Sequence, residues 1–286
     1  DQNNCRERRR LYGRKPLQSV FTRDCNERAR DIDDGGARYN WVECSFVGLA
    51  NFADSLKVIR EEVFTSREFD FPRLKELLDS DFAGQEAIRQ KFLNLHPKYG
   101  LNDAAVDGEV SRLMHFITAE CANHKMLPDD SHFIPGVFCW TMHQRLGAEC
   151  RATPDGRKAG FAFADGAGPA QGREKLGPTA AIQSVTSWDH TPMIGGSAFN
   201  MKFTRALFDD PTGVAKLKQL ILTFLRQGGF ETQINVVDNA MLHKARANPE
   251  AYSDLVVRIG GYTDYFTRLS PEMQEEVLQR TEYESI

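Results

Sequence analysis

Between Leu127 and Phe203 the chain cannot run far in any regular element, because glycine and proline interrupt it repeatedly: Pro154-Asp155-Gly156, Gly166, Gly168-Pro169, Gly172 and Gly177-Pro178. Glycine opens left-handed backbone and proline lacks an N–H, so such clusters mark turns and not repeating structure. A stretch this long without many elements of its own is uncommon in a compact domain, and where it occurs it is functional or packed by its own side chains. Within it only Ala180–Val185 and Ser197–Phe203 read as short strands. The fold must therefore hold a long irregular segment between more regular flanks.

Ahead of that segment, Leu49, Phe52, Ala53, Leu56, Ile59 and Val63 recur at intervals of three and four, which puts them on one face of a helix within 46–64. Pro72 suits the first turn of a shorter helix carried by Leu74, Leu77 and Leu78. Val110, Leu113, Met114, Ile117 and Cys121 repeat the pattern over 106–123, so the region up to Lys125 reads as mainly helical. Behind the segment, Val214, Leu217, Leu220, Ile221, Phe224 and Leu225 predict an amphipathic helix after Pro211, stopped by Gly228-Gly229. Thr232, Ile234 and Val236 alternate as in a strand, residues 241–247 read as helix, and Leu255–Ile259 is a buried strand ending at Gly260-Gly261. Ser270 caps a closing helix that has Pro271 at its first position and Glu272 favourable to its dipole. Helices alternating with short strands predict an α/β architecture.

Composition removes several function classes. A net charge of -4 and a pI near 6.0 exclude the basic footprint of a nucleic-acid binder. No apolar run approaches the roughly 18 residues that suggest a membrane span. The six cysteines, Cys5, Cys25, Cys44, Cys121, Cys139 and Cys150, lack the density of a secreted disulfide scaffold, which favours a reducing, cytoplasmic setting. Cys121, His124, His132 and Cys139 lack the close second pair of a zinc site, so no metal is expected. The chain opens at Asp1 without a methionine, and Arg6–Arg10 precedes no apolar stretch; a fragment or processed piece is expected, not a signal peptide.

Two catalytic patterns fail. Thr153–Gly160 lacks the Gly-Lys-Ser/Thr end of a phosphate loop and reads as a structural turn. Ser184, Asp189 and His190 supply the residue types of a hydrolase triad without the Gly-x-Ser-x-Gly elbow that presents the serine. Gly260-Gly261 by itself is a hairpin signal.

Its flanks, Arg258, Ile259, Gly260, Gly261, Tyr262 and Thr263, resemble the glycyl radical motif of pyruvate formate-lyase and its relatives, and Gln274, Val277, Arg280 and Thr281 fit the way that family ends. The resemblance extends through Gly35-Gly36-Ala37-Arg38-Tyr39, residues 48–56, Pro97–Gly100, Ala152–Gly160, Ala164–Gly166, Gly177–Ala180, Phe199-Asn200 with Lys202-Phe203, and Asn235–Asp238. It implies the second half of a ten-stranded α/β barrel over residues 1–200 and a glycyl radical domain over 201–286. Gly261 is then the catalytic residue that stores the unpaired electron, shared between the peptide groups on either side; a side chain would crowd the planar centre. Because oxygen attacks such a radical, the family works anaerobically and its glycine is expected to be buried.

No bound cofactor is implied. The radical is installed by a separate activating enzyme that uses S-adenosylmethionine and an iron–sulfur cluster. Other implied partners are the N-terminal half of the barrel, on the same or a separate chain, a second copy in a homodimer, and a small-molecule substrate; nucleic acid and membrane are not expected. The segment Ser187–Asn200 resembles a strand and loop near the substrate pocket of diol dehydratase and choline lyase relatives, which makes Ser197 and Phe199 candidate substrate contacts, with core packing the alternative. The catalytic cysteine loop, Gly-Cys-x-Glu in most relatives, is not matched: Cys5-Arg6-Glu7 follows Asn4 and lies too near the Gly-Gly-Ala piece. The Ala-Thr-Pro-Asp-Gly-Arg and Gly-Pro-Thr-Ala pieces resemble the dehydratase, choline lyase and arylacetate decarboxylase branch. They imply a radical lyase that eliminates water or an amine from a small hydroxylated or amino-containing substrate. A radical decarboxylase or carbon–carbon lyase, and a noncatalytic subunit that lends its radical, stand as alternatives.

Overall fold

A computed structural model describes residues 1–128 and 131–286, in two compact units. The first comprises residues 1–45, 115–136 and 192–195. Its helices Gln2–Tyr12, Pro16–Phe21 and Cys25–Arg28 precede strand β1 (Val42–Ser45), and β2 (Lys125–Met126) precedes β3 (Ser131–Gly136). In this sheet β3 is central, parallel to β1 with Val42 opposite Phe133, and antiparallel to β2. The Gly-Gly-Ala piece owes its second glycine to crowding: a Cβ on Gly36 would lie 2.1 Å from the Arg30 carbonyl oxygen.

The second unit comprises residues 46–114, 137–191 and 196–286. The predicted helix over 46–64 is Leu49–Ile59 continued by a wider π-helical turn, Arg60–Thr65. Asp70 caps the helix Phe71–Asp79 by accepting the Arg73 N–H at 2.8 Å. Together with Glu86–Asn94 these helices close a core of Val58, Phe69, Leu74, Leu77, Phe82 and Phe92.

Behind this helical layer, β4 (Ala198–Phe203), β5 (Glu231–Val236), the hairpin strands β6 (Val256–Arg258) and β7 (Thr263–Tyr265), and β8 (Glu282–Tyr283) follow in order. A parallel sheet has the order β5-β4-β8, with Phe199 opposite Thr232. The helix Pro211–Arg226 joins β4 to β5, capped by Asp210 and followed by Gly228 at φ +92°. Helices Asn239–Ala247 and Pro271–Gln279 pack Leu242, Ala245, Met273 and Val277 on Val257, Ile259 and Phe266. Ser270 caps the last of them by accepting the Met273 N–H. At its other end Lys202 of β4, fully buried, donates to the carbonyls of Val277 and Leu278 at 3.1 and 3.2 Å and to Asn239. Burial lowers the lysine to about 8.

The strand expected at Ala180–Val185 is instead part of a helix, Gly177–Val185, with Pro178 in its first turn. Ala181, Ile182, Ser184 and Val185 are all buried, so a helix enclosed on most sides shows the same apolar run as a buried strand. Thr153–Gly160 is a turn whose polar groups are engaged within the fold. Asp155 accepts from Asn51 at 2.8 Å, its N–H donates to Ser55, and the buried Arg157 donates to the carbonyls of Arg151 and Phe161. No described helix is long and apolar enough to cross a membrane.

Two buried acids give this fold a pH dependence. Asp54 is fully buried and accepts the Tyr99 N–H at 2.8 Å; burial lifts it to about 7 although Lys98 pulls the other way. Burial also raises Glu174 to about 7. An unfolded carboxylate titrates near 4, so between about pH 4 and 7 the folded state holds protons that the unfolded state has lost, and stability falls as pH rises through that window. Thermal melts from about pH 5 to about pH 8 are expected to show a falling Tm. Asp54→Asn, which keeps the acceptor and cannot ionise, should flatten that slope; an equal slope in the variant would rule Asp54 out as its source.

Candidate active site

The apolar run before Gly260 becomes β6, and β7 returns antiparallel to it, Arg258 facing Thr263. The turn closes where the Ile259 N–H donates to the Tyr262 carbonyl at 2.9 Å. Gly261 has φ +81°, a conformation rare for side-chain-bearing residues. A Cβ there would stand 2.2 Å from Cζ of Phe138, and one on Gly260 would meet the Trp140 carbonyl at 3.1 Å. Backbone geometry and neighbours thus both demand glycine at 261. Gly260 is buried, but Gly261 is exposed, contrary to the expectation of a buried glycine. Phe138 covers the side on which a Cβ would project, and the described residues leave the rest of the hairpin tip open.

Two side chains of β5 fix the hairpin to the sheet. The Gln233 amide oxygen accepts the Gly261 N–H at 3.0 Å and Arg258 Nε at 2.7 Å. Asn235 pairs with Arg258 as a neighbouring strand would, accepting its N–H at 2.7 Å and donating to its carbonyl at 2.8 Å. Neither residue stood out among the candidate site residues. The available signal was the alternation of Gln233 and Asn235 with Ile234 and Val236 along the strand.

Beneath the turn lies a buried polar cluster. Arg280 donates to the carbonyls of Arg258 and Ile259 at 3.1 and 3.2 Å, to both carboxylate oxygens of Glu276, and to Asp165 at 3.4 Å. Burial opposes ionisation of Glu276, but Arg280 and His143 outweigh it and hold the carboxyl well below its ordinary range. The Cys139 thiol donates to Asp165 at 3.1 Å and accepts the Gly166 N–H at 3.1 Å; burial, reinforced by Asp165, raises its pKa well above the ordinary value.

The other candidates lie elsewhere in this unit. Ser197 and Phe199 are both fully buried. The Ser197 hydroxyl meets His190 Nδ1 at 3.0 Å, and Phe199 packs on Phe224 with ring centroids 6.0 Å apart. His190 Nε2 lies 2.7 Å from the Val185 carbonyl, which can only accept; Nε2 therefore carries the proton and Nδ1 accepts from Ser197. Ser184 instead bonds Asp107, and Asp189 accepts from Thr191, so Ser184, Asp189 and His190 form no triad.

Sequence profiles of two families match: "Pyruvate formate lyase-like" over residues 2–147 and "Glycine radical" over 163–267. The probable dehydratase YbiW of Escherichia coli is 36% identical over 93% of this chain and 34% of its own length. The trans-4-hydroxy-L-proline dehydratase of Clostridioides difficile is 33% identical, with the same shares. The glycerol-bound B12-independent glycerol dehydratase of Clostridium butyricum superposes with a TM-score of 0.94 at 33% identity, over 99% of this chain and 36% of that one. The chain thus spans about a third of the length of the curated relatives it matches.

Gly261→Ala is expected to destabilise the chain by about 1–3 kcal/mol from its backbone conformation alone, with a further contribution from the clash with Phe138. In a Phe138→Ala background the clash is gone and only the backbone cost remains. Urea unfolding of the two single variants and the double variant should therefore show a smaller penalty for Gly261→Ala when Phe138 is absent; strict additivity would mean the ring does not constrain the turn.

Proposed function

The chain belongs to the pyruvate formate lyase-like glycyl radical enzymes, and from that premise we propose that Gly261 stores the radical of a lyase that eliminates water or an amine from a small hydroxylated or amino-containing substrate. The observation that carries the proposal is the hairpin tip. A left-handed glycine at φ +81°, with no room for a Cβ, is held by its own N–H to Gln233 inside the Arg-Ile-Gly-Gly-Tyr-Thr motif. Its Cα lies between two peptide groups over which an unpaired electron spreads once a hydrogen atom has been removed.

An activating enzyme using S-adenosylmethionine and an iron–sulfur cluster removes that hydrogen. Gly261 regains one from a cysteine thiol, and the resulting thiyl takes a hydrogen atom from the substrate, which then loses water or amine. That cysteine belongs to the part of the relatives' length this chain does not span. The open face of Gly261 is where it would approach, whether the remaining barrel is on the same polypeptide or on a partner. In this reading residues 1–200 are barrel and 201–286 the radical domain, Ser197 and Phe199 are candidate substrate contacts, and the protein works as a dimer in an oxygen-poor cytoplasm. Dehydratases among the relatives favour elimination of water; the 28% identical "4-hydroxyphenylacetate decarboxylase glycyl radical subunit" of Clostridioides difficile keeps decarboxylation as the second reading.

Anaerobic activation with a matched activase, followed by electron paramagnetic resonance, tests the assignment. The wild type should give a doublet split by the remaining Cα hydrogen, collapsing to a singlet when the protein is labelled with α-deuterated glycine. Gly261→Ala should give no such signal. A doublet unchanged by either manipulation places the spin on another residue.

A further inference from the structure

Cys139, His143 and Asp165 form, among the described residues, a group of three potential metal ligands, their donor atoms within 4.8 Å of one another and all three side chains buried. His143 is fully buried, yet neither of its ring nitrogens has a hydrogen-bond partner. Nδ1 lies 3.8 Å from Asp165 Oδ1 and Nε2 lies 3.5 Å from Glu276 Oε1. A fully buried ring whose two nitrogens face carboxylates without making a hydrogen bond to either calls for an explanation.

From this arrangement we propose that Cys139 Sγ, His143 Nδ1 and Asp165 Oδ1 bind a borderline divalent cation of the zinc type. Around a tetrahedral ion with metal–sulfur and metal–nitrogen or –oxygen bonds near 2.3 and about 2.0–2.2 Å, neighbouring donors stand about 3.3–3.6 Å apart. Sγ to Oδ1 at 3.1 Å would lengthen and Nδ1 to Oδ1 at 3.8 Å would shorten by a few tenths of an ångström to reach that spacing. The second of them is too long for a hydrogen bond and suits two ligands of one ion.

The surroundings fit a metal in three further ways. Asp165 Oδ2 is engaged by Asn200 at 2.6 Å and by Arg280, while Oδ1, which accepts the Cys139 S–H, becomes available to the cation when that proton leaves. The Gly166 N–H points at Sγ and would steady a thiolate. Glu276 faces the far nitrogen of His143, where a carboxylate orients a metal-bound imidazole and sets its tautomer.

Charge balances as well. Burial opposes charge on His143, but Asp165 and Glu276 outweigh it, so two carboxylates, one guanidinium and one imidazolium bring the metal-free cluster to a net charge of zero. Binding of M2+ with release of one proton each from Cys139 Sγ and His143 Nδ1 to solvent forms the sulfur–metal and nitrogen–metal bonds and leaves the sum at zero, with no change of oxidation state. The ion would tie the Phe138–Trp140 segment, whose outer residues abut Gly261 and Gly260, to Asp165. It would brace the glycine turn without taking part in the radical chemistry, and it stands whether or not Gly261 carries a radical.

The metal-free chain titrated with Co2+ should take up one equivalent and develop a near-ultraviolet thiolate-to-cobalt band that Zn2+ abolishes. Cys139→Ser should lose that band, while Cys121→Ser, which alters a thiol of the other unit, should keep it. X-ray absorption of the zinc-loaded wild type should show one sulfur and one imidazole nitrogen, which decides the matter even if Cys139→Ser does not fold. Absence of any band, a band that survives Cys139→Ser, or a shell of several sulfurs overturns the proposal.

Discussion

The glycine turn depends on a single guanidinium. Arg280 comes from just beyond the helix Pro271–Gln279, yet its donors reach the last two carbonyls before Gly260 as well as Glu276 and Asp165. Without it those carbonyls would lose donors where little water reaches, and two carboxylates would share a buried space with no fixed cation. Breaking a buried ion pair by removing one partner commonly costs about 3–5 kcal/mol, because the remaining charge is left uncompensated. The same side chain therefore ties together the end of β6, the closing helix and the irregular segment around Asp165. The turn's position is a consequence of three distant stretches of chain meeting at one cation.

That arrangement explains why the hairpin can be both strained in its sequence requirements and fixed in place. Gly261 is held through its own N–H by Gln233, and the preceding strand by Asn235, so two side chains of β5 complete the hydrogen bonding of β6. Phe138 and Trp140 press on the turn from the other direction, and Trp140 itself has φ +47°, unusual for so bulky a residue. Under the proposed radical assignment, a glycine that flattens at Cα would call for this combination of free rotation at one residue and rigid anchoring on either side. The anchors belong to neighbouring side chains, since glycine has none of its own.

Much of this was legible beforehand where the information is local. The helix over 46–64, the strand at Ser197–Phe203, the stop at Gly228 and the cap at Ser270 each follow from periodicity or from one residue's backbone chemistry. Ala180–Val185 misled because enclosure makes a helix apolar on most sides. The exposure of Gly261 and the grouping of Cys139 and His143 with Asp165 were hidden for another reason: they depend on which segments the fold brings together. Cys139 and His143 are four residues apart and gave a weak local cue; Asp165 and Glu276 arrive from separate turns of the chain.

Exposure at the hairpin tip and burial beneath it then divide the labour of the site. A radical centre has to be reached by a hydrogen donor and shielded from oxygen, and those demands conflict unless the covering surface is also the reacting one. Here Gln233 holds the N–H of Gly261 and Phe138 covers its Cβ direction while the rest of the tip is open, with Tyr262 and Tyr265 partly exposed beside it. A cap that brought the cysteine would satisfy both demands with one contact. The polar network below needs no such cap, because its charges are paired within the chain. The hairpin is thus positioned by contacts within this chain, whereas the shielding of the radical proposed at Gly261 would have to come from a surface laid over its open side.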